Sequence, residues 1–116
     1  MHSAAQHRRA VILGAGGFIG INLAQALVTE DYEVICFDRI QCPNWPEQAK
    51  TIVGEFAQIP GELLAALDNA TVYHLISSCR PNMSTEMAAD EVVFDVATTL
   101  RYLEHTRARN IRWVFV

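Results

Sequence analysis

Lysine is almost missing from this chain. Of its nine basic side chains only Lys50 is a lysine, set against thirteen acids and a net charge of −4. The arginines Arg101, Arg107, Arg109 and Arg112 gather near one helix end and form no continuous stripe, so a nucleic-acid surface is not expected. Cysteine is scarce too: Cys36, Cys42 and Cys79 make no C-x-x-C pair and no disulfide framework, which suits a reducing cytoplasm. No apolar run approaches the ~20 residues that cross a bilayer, so no membrane segment is expected. The first residues lack the apolar stretch of a signal peptide, and residues 1–8 read as a disordered lead-in. Repeats and low-complexity tracts are absent. What remains is a 116-residue chain, half of it hydrophobic, enough for one packed domain over residues 9–116.

Glycine is sparse and concentrated. Four of the six fall in Gly14-Ala15-Gly16-Gly17-Phe18-Ile19-Gly20, directly after the apolar run Ala10-Val11-Ile12-Leu13. A buried strand that turns this tightly into a helix leaves the first helical N–H groups pointing outward, where the helix dipole adds about half a positive charge. A phosphate binds such an end without any basic side chain. Gly14, Gly17 and Gly20 follow G-x-x-G-x-x-G. Gly14 permits the turn, Gly17 lets a pyrophosphate approach the backbone, and Gly20 lets helix and strand pack closely.

The next strand, Glu33-Val34-Ile35-Cys36-Phe37-Asp38, ends in an acid about 20 residues past the glycines. Asp38 can accept from both hydroxyls of an adenosine ribose and repels a 2′-phosphate, which favours NAD over NADP. Arg39 beside it is a residue type that tolerates that phosphate.

The rest of the chain alternates helix and strand. A helix is predicted from Phe18 to about Thr29, burying Ile19, Leu23, Ala26 and Leu27, and closed by Glu30-Asp31. An irregular connection runs from Arg39 to Lys50, with Lys50 in a loop. A third strand follows at Thr51–Gly54, a helix at about Gly61–Leu67 and a fourth strand at Thr71–Ile76. A loop through Arg80-Pro81-Asn82 leads to a long helix from about Ser84 to Arg107. There Val92, Val93, Val96, Leu100 and Leu103 recur at helical spacing. Asn110 suits a left-handed residue beyond its end, and Ile111–Val116 forms a fifth strand. Continuous apolar strands alternating with helices imply an α/β, doubly wound parallel sheet of order 3-2-1-4-5, with a ligand crevice between the first and fourth strands. His74, inside an apolar strand, reads as a core histidine.

These motifs resemble the extended short-chain dehydrogenase/reductase superfamily, specifically the NAD-dependent nucleotide-sugar epimerases and dehydratases, over about residues 9–116. The glycine segment, Asp38, the pair Glu55-Phe56, Tyr73-His74-Leu75-Ile76-Ser77-Ser78 and Asp95-Val96-Ala97-Thr98-Thr99-Leu100 each match a family motif. The resemblance implies a Rossmann-like fold cut off after the fifth strand. It assigns pyrophosphate to Gly14, Gly17, Phe18, Ile19 and Gly20, the ribose to Asp38 and the adenine to Glu55 and Phe56. Leu75, Ile76 and Ser77 flank the nicotinamide-ribose side. Ser77 and Ser78 stand where alanines are usual, Asp95 where Asn is common, and Thr98 where Gly is.

The family's general base is the tyrosine of a Tyr-x-x-x-Lys pair that lies beyond the fifth strand. Tyr32, Tyr73 and Tyr102 have no lysine four residues on, so no catalytic residue is assigned. The expectation is the cofactor-binding part of an epimerase (an isomerase) or dehydratase (a lyase) that oxidises and re-reduces a sugar hydroxyl. Here it binds NAD without catalysis, and a nucleotide-sugar is met only in a complete enzyme. The alternatives are a stand-alone NAD(H)-sensing or scaffold module and a reductase of the same superfamily with another substrate. Val93, Tyr102, Trp113 and the fifth-strand edge are expected to drive a homodimer.

Overall fold

The computed structural model describes residues 8–78 and 82–116. Most of the expected lead-in, and Cys79, Arg80 and Pro81 of the loop before the long helix, lie outside the described residues. Arg8 belongs to the fold and not to the lead-in. Its carbonyl accepts from Glu33 N at 2.8 Å, extending the strand ladder, and its guanidinium lies 4.2 Å from the centre of the Tyr32 ring.

Five strands form one all-parallel sheet in the order β3-β2-β1-β4-β5. They are β1 (Arg9–Leu13), β2 (Glu33–Asp38), β3 (Lys50–Val53), β4 (Ala70–His74) and β5 (Arg112–Phe115). The helices are α1 (Phe18–Thr29), α2 (Gly61–Ala66) and α3 (Thr85–His105), with a 3-10 turn at Phe56–Gln58 that the sequence reading omits. The sheet is Rossmann-like, as the alternation predicts. Lys50 opens β3 and is not a loop residue. β4 stops at His74 because its partner β1 ends at Leu13. Leu75 N still donates to Leu13 O at 2.9 Å, but Gly14 then turns the first strand away at φ +83°.

Side chains alternate across the pleat, so each strand feeds two cores. Val11, Leu13, Ile35, Phe37, Ile52 and Val72 meet Leu63 and Leu67 of the α2 region and Tyr102 of α3 on one face. Ala10, Ile12, Val34 and Cys36 meet Ala24 and Leu27 of α1, together with Trp45, on the other. Trp45 comes from the irregular β2–β3 connection and packs into this second core.

Three details differ from the sequence reading. Helix α1 buries Gly20, Ala24 and Leu27, while Ile19 and Ala26 are exposed. Close packing of Gly20 on the turn rotates the buried stripe towards the small residues. Helix α3 packs through Thr98, Tyr102 and the following Thr106, and leaves Val92, Val93, Val96 and Leu100 in solvent. Its apolar stripe faces away from the sheet. Among the described residues the non-glycine positions with positive φ are Asp31, Ile59 and Asn69, not Asn110, because α3 closes on Thr106 with backbone bonds to Tyr102 and Glu104.

Candidate functional site

The site is built by the handover from β1 to α1. Gly14 N and Ala15 N both donate to Phe37 O, at 2.9 and 3.0 Å, which anchors the turn on β2. A methyl group on Gly14 would lie 3.2 Å from the Leu75–Ile76 backbone, at a positive φ that L residues rarely adopt. One on Gly20 would lie 2.7 Å from both Gly14 O and Ala15 Cα, so the absent side chain is what lets α1 seat against the turn. Gly17 is different. Its φ is −81°, and a methyl group there meets nothing closer than 3.9 Å. Neither backbone strain nor packing requires glycine at this position, which borders the cleft.

The N-terminus of α1 has no capping side chain and no acid in its first turn, whereas Ser84 caps α3 by accepting from Met87 N at 3.1 Å. An uncapped helix end keeps unsatisfied N–H groups and positive potential available to an anion.

A cleft of ≈ 560 Å³ opens from this turn along the carboxyl ends of the strands. Gly14, Gly17, Asp38, Arg39, Glu55, Phe56, Leu75, Ile76 and Ser77 line it. Phe18, Ile19 and Gly20 line an adjoining hollow with Gly14, Gly17 and Leu75. The structure therefore places every residue that the sequence analysis assigns to the cofactor along this cleft or the adjoining hollow. The phenyl ring of Phe56 belongs mainly to the core, stacked on Tyr102 with centroids 4.2 Å apart, so this residue offers the cleft its edge and backbone.

Asp38 is already engaged. One carboxylate oxygen accepts from Gly16 N at 2.8 Å and the other from Arg39 N at 2.7 Å. Both are backbone donors, so the oxygens' remaining lone pairs stay available to hydroxyl groups.

The opposite wall escapes motif reading, because Met83, Glu91, Phe94, Asp95 and Thr98 come from α3 and the residues just before it. Asp95 is fixed by Ser78, whose backbone N–H and hydroxyl donate to its two oxygens at 2.9 and 2.6 Å. The Ser78 hydroxyl thus serves the loop after β4. Each of these residues stands out singly against the motifs the chain resembles, but nothing in the sequence links the two.

His74 is buried and shares a 2.9 Å hydrogen bond with Thr99 Oγ1. Burial pushes its pKa below the ordinary 6.5, against weaker opposing effects from its backbone hydrogen bond and Asp95. It is a neutral core histidine at pH 7. Burial raises the pKa of Tyr102, whose hydroxyl donates to Phe56 O at 2.6 Å, so it is no base. The Cys36 thiol, buried beside Cys42, is pushed up to about 12 and is a poor nucleophile. Among the described residues no group of His, Cys, Asp and Glu could hold a metal ion, and no helix is long and apolar enough to cross a membrane.

The sequence model of the NAD dependent epimerase/dehydratase family matches residues 10–116. Among solved structures, the chain is similar to a UDP-glucose 4-epimerase from Brucella ovis in complex with NAD. That match has TM-score 0.76 and 20% identity, over 93% of this chain and 35% of that one. An epimerase from Methanothermobacter thermautotrophicus matches with TM-score 0.76 and 20% identity, over 94% and 34% of the two chains. A UDP-glucose 4-epimerase from Thermotoga maritima, solved with UDP-glucose, gives 0.74 and 20%, over 92% and 37%. The chain thus spans about a third of the length of these structures. A search of curated protein sequences finds no match.

Proposed function

The chain belongs to the NAD dependent epimerase/dehydratase family, and from that premise we propose that its cleft is the NAD site of a nucleotide-sugar epimerase or dehydratase. The observation that carries this reading is the uncapped α1 N-terminus, set in the same cleft as Asp38 and Glu55. Gly14, Gly17, Phe18, Ile19 and Gly20 hold the pyrophosphate by backbone N–H groups and close approach. Asp38 accepts from the adenosine ribose with Arg39 beside it, Glu55 and Phe56 bound the adenine, and Leu75, Ile76 and Ser77 face the nicotinamide ribose. When bound, NAD supplies a reversible hydride acceptor for a sugar carbon.

The work of this chain is binding without catalysis. Tyr102 is buried in a hydrogen bond, and Lys50 sits at the start of β3, apart from every tyrosine in sequence pairing. A nucleotide-sugar substrate is met only in a complete enzyme. A self-sufficient NAD(H)-sensing module uses the same binding residues. Tyr102, expected to drive association, is instead fully buried in the core, and Trp113 packs partly against that core. Exposed Val92, Val93, Val96 and Leu100 on α3 support a homodimer in their place, and the unpaired Cys36 and Cys42 agree with a cytoplasmic location.

Calorimetric titration with NAD and NADP tests the reading. The expected result is tighter binding of NAD, with the preference eroded by Asp38→Ala in a folded protein. Equal affinities for the two cofactors refute the ribose assignment, and no binding of either at millimolar concentration refutes the site.

A further inference from the structure

One peptide unit in the glycine turn is held at both edges. The carbonyl of Ala15 accepts from the indole Nε1–H of Trp45 at 2.9 Å, in a buried hydrogen bond. The N–H of the same unit, on Gly16, donates to Asp38 Oδ2 at 2.8 Å. A trans peptide is planar, with its C=O and N–H pointing in opposite directions, so fixing the oxygen aims the hydrogen.

The alternative orientation is sterically cheap at this position. Rotating the Ala15–Gly16 plane by half a turn changes ψ of Ala15 and φ of Gly16, and glycine accepts nearly any φ. The flipped plane turns the Ala15 oxygen towards the Asp38 carboxylate and the Gly16 N–H away from it. Asp38 disfavours that state, since the flip replaces its Gly16 N–H donor with a carbonyl oxygen. Trp45 disfavours it as well, because the flip strands its indole N–H in a core where the residue is only 7% exposed.

We infer that Trp45 is a positioning residue for the adenosine half of the cofactor. It selects one orientation of the Ala15–Gly16 peptide, which sets the carboxylate of Asp38 to receive the ribose. The inference rests on the NAD reading above and adds to it a residue that no glycine or acid motif contains. It also accounts for an otherwise odd placement. A tryptophan on an irregular connection reaches back 30 residues in sequence to a backbone carbonyl of the turn. Gly16 takes part for a steric reason, since a methyl group there would lie 2.8 Å from Asp38 Oδ2 and displace it.

Trp45→Phe keeps most of the buried ring and removes only the donor. In this variant amide exchange at Gly16 should accelerate at least tenfold, while the amides of β1 keep their protection. NAD affinity should fall about five- to tenfold, the worth of roughly one hydrogen bond, and the NAD-over-NADP preference should shrink with it. The double variant Trp45→Phe/Asp38→Ala should bind NAD no worse than Asp38→Ala alone, because the tryptophan acts through the carboxylate. Multiplying effects in that cycle, or an unchanged Gly16 amide in folded Trp45→Phe, overturn the inference.

Should Trp45→Phe fail to fold, Asp38→Ala supplies the reciprocal measurement. Indole N–H exchange of Trp45 should then speed up relative to Trp113, and equal rates in wild type and variant count against the clamp. Absence of NAD binding by the wild type removes the cofactor role. The exchange data still report on the peptide clamp alone, so the two failures are distinguishable.

Discussion

Replacing Gly20 by alanine separates close packing from helix propensity, because the two act in opposite directions. Alanine in a helix interior is favoured over glycine by up to about 1 kcal/mol. Against that, the new methyl group sits 2.7 Å from both Gly14 O and Ala15 Cα, and 2.8 Å from Ala15 C. Ordinary contact requires roughly 0.7 Å more, and every atom involved is backbone, tied by the Gly14 N and Ala15 N bonds to Phe37 O. Overpacking of a core costs about 1–3 kcal/mol, and an immobile neighbour places this case at the upper end. The net is a loss of about 1–2 kcal/mol. For a domain of this size it lowers Tm by roughly 5–15 °C. Thermal unfolding followed by far-UV circular dichroism reads the shift. A Tm equal to or above wild type refutes the reasoning, since it means the turn yields freely and α1 is not seated by Gly20. Gly17→Ala is the paired control. With 3.9 Å of clearance and an ordinary φ, its Tm should stay within a few degrees of wild type. Yet NAD should no longer confer the stabilisation of about 2.7 kcal/mol expected at a hundredfold excess over Kd.

Tyr102→Phe keeps the ring stacked on Phe56 but leaves Phe56 O without its 2.6 Å donor, so unfolding in urea should reveal a loss of about 1–3 kcal/mol. An unchanged midpoint contradicts that bond. His74, with its folded pKa below 6.5, stays neutral in the fold while the unfolded chain takes up a proton. Stability is therefore flat above that value and falls as pH is lowered through the window beneath it, and His74→Gln should flatten this part of the profile. A profile identical in the variant assigns the loss to other groups. Self-association through the exposed face of α3 predicts a dimer mass by light scattering at micromolar concentration, abolished by Leu100→Asp. A monomer mass for the wild type at every concentration rejects it.

The sheet was legible in the sequence because its strands are short apolar runs with abrupt ends. Glu33–Asp38 and Phe18–Thr29 coincide with the expected bounds, since Asp31 and Gly17 punctuate them in the chain itself. The residues that line the cleft were legible because their types are demanded locally: a residue that packs only without a Cβ, and an acid at a strand end. What stayed hidden is long-range. No local pattern shows Trp45 reaching the Ala15 carbonyl, Ser78 holding Asp95, or the 3-10 turn that brings Phe56 beneath Tyr102.

Helix α3 shows why periodicity alone misplaced a face. Val92, Val93, Val96 and Leu100 form the more apolar stripe, and burial-driven reasoning seats such a stripe on the nearest core. The sheet instead receives Thr98, Tyr102 and Thr106, which suit it better than valines do. Thr106 returns its hydroxyl to Tyr102 O at 2.8 Å, and Tyr102 delivers its own to Phe56 O, so polar atoms enter the core fully paired. That frees the apolar stripe for a different surface. The large apolar side chains left in solvent reach exposed Phe115 and Val116 beyond the helix, with Val96 and Leu100 lining one hollow beside them. Hydrophobic spacing reports that a face is to be buried, and its partner is a separate question. In this chain the fold takes the paired polar side of the helix and leaves the aliphatic side exposed.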